Sequence, residues 1–179
     1  MNAIAKLLVA GGLLMSVSIV YADEPTKIAF VDTGNTGRSV TAEAIANEYV
    51  AAKKLHVAII SRAVDMDLFG VAPEANAATL LKQRGLDVSA HRAQQVTAND
   101  VRHADVILTM TAKHRDKLLA LFAEAADKTF VLGEFATGEA REIADAYGKP
   151  MEVYEAMVAQ VADYVPSAIE KAIAKTGKK

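Results

Sequence analysis

Four apolar residues, Ile28-Ala29-Phe30-Val31, run straight into the turn Asp32-Thr33-Gly34-Asn35-Thr36-Gly37-Arg38-Ser39, and helical composition begins where that turn ends. A short apolar run closed by a Gly-rich turn reads as a buried strand. The backbone N–H groups of such a turn converge with the N-terminus of the following helix. That arrangement draws anions through unpaired donors and the helix dipole. Gly34 and Gly37 permit positive φ or close backbone approach. Asn35 can brace the turn through side-chain hydrogen bonds, and Arg38 presents a planar fork suited to holding phosphate. Thr33, Thr36 and Ser39 complete the candidate anion-binding set. The plain alternative is a Gly-containing turn with an exposed arginine.

The rest of the chain alternates short apolar runs with longer amphipathic stretches. Ser39 to Lys54 has a helical apolar face through Val40, Ala44, Ile45 and Tyr49. Val57 to Ile60 reads as a second strand, and Pro73 to Arg84 as a helix stopped by Gly85. Thr97-Ala98-Asn99-Asp100 resembles a capping box. Asp105 to Met110 is predicted as the third strand, Thr111 to Phe122 as a helix, and Thr129 to Leu132 as a fourth strand. Glu134 to Tyr147 reads as loop. Pro150 to Ala174 reads as a long helix kinked or broken at Pro166, with a tail that frays from Lys175. Alternating strands and helices point to a parallel sheet covered on both faces. Ligands of such sheets bind at the carboxyl ends of the strands, which is where the turn after Val31 lies.

The first 22 residues have a different layout. Lys6 precedes an apolar run from Leu7 to Val20, and Val20-Tyr21-Ala22 supplies small residues at the −3 and −1 positions of a cleavage site. This is the pattern of a secretory signal peptide, and the run is shorter than the ~20 residues of a spanning helix. The expectation is a leader at 1–22, one domain at 23–174 and a disordered tail at 175–179. The product would be exported, periplasmic or secreted, with no membrane association after cleavage. A formal net charge of −2 with scattered Lys and Arg gives no basic patch for nucleic acid. The chain has no cysteine, which excludes disulfides, thiol nucleophiles and cysteine metal sites together.

Phe30 to Ser39 resembles the signature V-C-x-G-N-x-C-R-S of the low-molecular-weight protein tyrosine phosphatases. Arg84-Gly85-Leu86-Asp87-Val88-Ser89-Ala90-His91-Arg92-Ala93, the strand Ala104 to Met110 and the helix with His114 and Leu118 follow the same family in order. Asp145-Ala146-Tyr147-Gly148 stands where the family carries its D-P-Y-G acid loop. The resemblance covers Lys27 to Ile173 and implies a flavodoxin-like four-stranded parallel sheet with helices on both faces. It implies Arg38 as the phosphate-binding arginine and Asp145 as the general acid. It also places Asp32 where the nucleophilic cysteine belongs, Gly37 where the second loop cysteine belongs and Ala146 in place of the acid-loop proline. Ser61-Arg62-Ala63 replaces a segment that usually carries a glycine, which would set a bulky cation near the substrate.

An aspartate at position 32 decides the chemistry. Ionised, it would fill the anion nest itself and pair with Arg38. Against a phosphate charge at about 4 Å it costs about 4 kcal/mol at an effective dielectric of about 20. Three readings follow: a pseudophosphatase that binds an oxyanion, a phosphorylated ligand or a protein partner; a phosphatase forming an aspartyl-phosphate on Asp32; and a cation site using Asp32 and Asp145. No cofactor is expected and no metal site is assigned. His91 is expected to make a structural hydrogen bond, and Asp65 and Asp67 to lie in a solvated loop. If the leader is cleaved, N-terminal sequencing of the exported protein should read from Asp23; a product that still carries Lys6 would rule that out.

Overall fold

The computed structural model describes residues 24–68 and 70–178. The proposed leader therefore falls outside the described residues, as does Lys179. In chain order the elements are β1 (Thr26–Asp32), α1 (Arg38–Lys53), β2 (Val57–Ala63), α2 (Ala75–Gln83), α3 (Ala98–His103) and β3 (Val106–Thr109), followed by α4 (Ala112–Leu121), a 3-10 segment (Ala123–Lys128), β4 (Thr129–Val131), α5 (Leu132–Thr137) and α6 (Met151–Thr176). The four strands pair in parallel in the order β2-β1-β3-β4. This is the flavodoxin-like order, whose switch point lies between β1 and β3.

Period-2 alternation divides the strand side chains between two cores. Ile28, Phe30, Val106 and Leu108 face a core built with α1, α2, α5 and α6. Ala29, Val31 and Ile107 face a second core with Val101 of α3, Leu118 of α4 and Ala125. Both faces of the sheet are thus covered, which is why β1 and β3 read as continuous apolar runs rather than alternating ones. The capping box forms as expected: Asp100 N donates to Thr97 Oγ1 at 3.1 Å, and Thr97 N donates to Asp100 Oδ2 at 2.9 Å.

Three expectations are corrected. The first concerns α6, which runs unbroken through Pro166. Proline removes one backbone donor there, but Val161, Val165, Ala168, Ile169 and Ala172 are all buried around it, and their packing outweighs a lost bond. Second, the segment expected to fray from Lys175 is helical to Thr176. It is tied to the start of the sheet by Thr26 Oγ1 to Thr176 Oγ1 at 3.0 Å and Lys178 Nζ to Asp105 Oδ2 at 2.7 Å. Third, the stretch read as loop from Glu134 begins inside the short helix α5, closed by Gly138 at φ 81°. Leu108, central in β3 and fully buried, tests the core: Leu108→Ala should cost about 2–5 kcal/mol, read as a lower urea midpoint at unchanged m-value.

Candidate functional site

The site begins where β1 hands over to α1. Gly37, the N-cap residue of α1, has no side chain with which to cap the helix, so the cap comes from the strand. Asp32 turns its carboxylate into the loop: Oδ1 accepts from Asn35 N at 2.6 Å and Oδ2 from Ser39 N at 2.9 Å. A negative group at a helix N-terminus is stabilised by the unpaired N–H donors and the dipole together. Asp32 is only 3% exposed. Burial pushes its carboxyl pKa up, while the Ser39 and Asn35 N–H donors and the Arg38 charge pull it back. Two N–H donors of the turn converge here, and what they meet is the protein's own carboxylate.

Asn35 sets the shape of the turn. It adopts the left-handed region at φ 57°, a conformation asparagine tolerates better than most residues. Its amide nitrogen donates to Ser39 Oγ at 2.9 Å and to Ser61 Oγ at 2.8 Å, and its Oδ1 accepts from Gln94 N at 3.0 Å. His91 Nε2 donates to the Asn35 carbonyl at 2.9 Å, the structural bond expected of it. Behind the loop, Ser61 Oγ donates to Glu43.

Arg38 differs from expectation. Its guanidinium pairs with Asp145 at 3.4 Å rather than with Asp32, and it reaches the Ile143 carbonyl at 3.5 Å. Asp145 is mostly solvent-exposed, and its Oδ1 also accepts from Tyr147 N at 3.2 Å. The expected cation near the substrate position is absent. Arg62 sits on the opposite face of the sheet, paired with Asp100 at 3.1 Å, because alternation along β2 points Arg62 away from Ser61.

Asp32, Thr33, Gly34, Thr36, Arg38, Asp145 and Tyr147 line one cleft of about 260 Å³, together with Asp65, Asp67, Gly70 and Glu74. Asn35, Gly37 and Ser39 are buried behind it. Asp65 and Asp67, read from the sequence as loop residues, are thus brought to the site, and Asp65 pairs with Lys117 at 2.5 Å. The lining carries five carboxylate residues and one cation, Arg38. A cation held between Asp32 and Asp145 gains no geometric support. Asp32 spends its oxygens on the nest, Asp145 pairs with Arg38, and among the described residues no group of three His, Cys, Asp or Glu side chains could hold a metal ion.

Sequence reasoning missed two residues. Glu74 starts α2 yet turns its side chain to the loop, accepting from Thr36 Oγ1 at 3.3 Å and Tyr154 OH at 2.6 Å. Burial and then that bond push Tyr154 up to about 12. His114, on α4, meets Thr33 Oγ1 through Nε2 at 2.9 Å, and its Nδ1 is buried without a partner. Burial first, then the nearby Arg38 charge, lower its pKa from 6.5 to about 4. Only contact across the fold marks either residue as part of the site.

A four-stranded parallel sheet in this order, with helices on both faces, defines a protein of the flavodoxin-like α/β class. Comparison with known proteins makes the class specific. Residues 27–179 match the model of the low molecular weight phosphotyrosine protein phosphatases. Over 132 residues the chain is 35% identical to a protein-arginine-phosphatase of Geobacillus stearothermophilus, covering 74% of this chain and 86% of that one. Over 134 residues it is 32% identical to the probable low molecular weight protein-tyrosine-phosphatase EpsP of Ralstonia solanacearum, covering 75% and 87%. The structure of the YwlE arginine phosphatase from Geobacillus stearothermophilus superposes with a TM-score of 0.76 at 34% identity, covering 85% of this chain and 96% of that one. The chain belongs to the low molecular weight phosphotyrosine protein phosphatase family.

The lowered pKa of His114 has a consequence for stability. An imidazole whose folded pKa lies below its unfolded value adds stability above pH 6.5 and loses it as pH falls toward about 4. Asp32, with its raised pKa, slopes the other way through the acid range, but it is common to the native chain and a His114 variant. His114→Gln should therefore lose less stability than the native chain between pH 6.5 and about 4, measured as urea midpoints.

Proposed function

We propose that this chain is a pseudophosphatase: a phosphatase-family fold, without the thiol that family members use as nucleophile, serving as an anion- or partner-binding module. The observation that carries the reading is the seating of Asp32, whose two oxygens take the Asn35 and Ser39 N–H groups at 2.6 and 2.9 Å. Those donors would otherwise meet the oxygens of a phosphate. With no cysteine in the chain and a carboxylate in the nest, an incoming phosphomonoester meets repulsion at the point where it should be cradled. Arg38, the phosphate-binding candidate, is engaged by Asp145. A self-filled nest favours a protein segment at the cleft mouth over a free oxyanion, with Tyr147, 73% exposed, as the aromatic contact at the rim. Export through the leader at 1–22 is part of the proposal and agrees with the absence of thiols.

The alternative is a phosphatase that forms an aspartyl-phosphate on Asp32, with Asp145 protonating the leaving oxygen. One observation favours keeping it: a YwlE arginine phosphatase mutant is known with a phosphorylated active-site serine. In that relative an active-site oxygen carries the phosphoryl group. Against it, the Asp32 oxygens already hold the donors that would stabilise the transferring group.

An aryl phosphate assay with and without Mg²⁺ separates the two. The native chain is expected to show no turnover above the blank in either condition, and Asp32→Ala to behave identically. Turnover that disappears in Asp32→Ala would overturn the pseudophosphatase reading. Asp32→Cys under reducing conditions should gain some turnover, because Arg38 and Asp145 remain at the cleft.

A further inference from the structure

Gly37 and Glu74 fit one another in a way that capping α1 does not require. Glu74 is the N-cap residue of α2, yet its side chain makes no capping bond. Both of its oxygens are instead spent on the phosphate loop and its support: Oε1 accepts from Thr36 Oγ1 and Oε2 from the Tyr154 hydroxyl. Accepting at both oxygens is what an ionised carboxylate does. Its backbone is fixed as well, since Glu74 N donates to the Thr36 carbonyl at 2.9 Å. A Cβ added to residue 37 would lie 2.5 Å from Oε1 and 2.9 Å from the carboxyl carbon of Glu74. The carboxylate thus occupies the volume that any side chain at position 37 would claim. Tyr154, on α6 and 4% exposed, holds it there.

Two carboxylates therefore stand at the same loop. Asp32 fills the nest from the strand side, and Glu74 stands over Thr36 and Gly37 from the α2 side. We propose that Glu74 is a specificity-determining residue that weakens the loop's hold on oxyanions, and that it goes on doing so when the Asp32 carboxylate is taken away. The inference deepens the self-filled reading of the nest and rests on it. Two separate side chains then oppose the same ligand, and neither substitution alone restores the loop's full affinity for phosphate. The physical basis is charge against charge across the lining of one partly buried cleft. There, each carboxylate–phosphate repulsion is worth about a factor of ten or more in affinity.

The test is made in chains without Asp32. Inorganic phosphate is titrated calorimetrically at neutral pH into Asp32→Ser and into the double variant Asp32→Ser/Glu74→Gln. Glutamine keeps the volume of Glu74 and an acceptor for Tyr154 or Thr36 while removing the charge. The double variant is expected to bind phosphate about tenfold or more tighter than Asp32→Ser, with a gain that shrinks as salt is raised. Equal affinities, or no binding in either chain, would overturn the proposal. So would a gain that salt leaves unchanged, since that would be relief of crowding and not of charge. Thermal melts check that both chains fold. If the serine variant does not, Asp32→Asn, close in shape to the native side chain, gives the same comparison with the same outcomes. Turnover of an aryl phosphate by the native chain would sink the proposed function but leave this comparison standing, because both of its proteins lack Asp32.

Discussion

A single carboxylate accepting two backbone N–H groups organises this molecule's functional end. Asp32 ends β1, and its side chain reaches across the turn to Asn35 N and Ser39 N. It therefore serves the strand, the loop and the helix at once. A helix with glycine at its N-cap would otherwise leave its first donors to water or to a ligand. Here the strand supplies the missing acceptor, and α1 starts without one from outside. The interaction has an electrostatic cost, since burial disfavours the charged carboxyl. Two N–H donors, the helix dipole and the Arg38 charge offset part of that cost, and burial still leaves the carboxyl pKa raised.

The surroundings hold the loop to this geometry. Asn35, in the left-handed region, has its amide group and its carbonyl all bonded to neighbouring segments. Ser61 and His91 support it from β2 and from the segment before α3. The frame that shapes the cup is thus separate from the groups that line the cleft. A family fold can then keep its loop while the side chain seated in it changes. Within the cleft, Arg38 leans away to Asp145 and the remaining charged lining is acidic. The N–H donors of the cup are taken by Asp32, and the cleft in front of them is mostly acidic.

Much of this was legible in the sequence because the signals are local. Val31 flowing into Asp32 to Ser39 specified strand, turn and helix, and Thr97 to Asp100 specified its cap, since each depends on neighbours a few residues apart. The order of motifs was enough to give the family. What stayed hidden depends on contacts across the fold. Pro166 signals a helix break, yet the buried stripe from Val161 to Ala172 carries α6 through it. Arg62 looked like a cation at the site, but strand alternation and Asp100 take it to the other face. Glu74 reads as an ordinary helix-start acid until α2 is seen to pack beside the loop. His114 reads as one more helical residue until its ring meets Thr33.

The clasp at the far edge of the sheet has a geometric consequence. Thr26 meets Thr176, and Asp105 meets Lys178, all at the amino ends of the parallel strands, while the cleft opens at their carboxyl ends. Both ends of the described chain therefore emerge on the side away from the mouth. A tether, a fused domain or a surface attachment joined at either end would leave the opening facing outward, unobstructed by its own anchor.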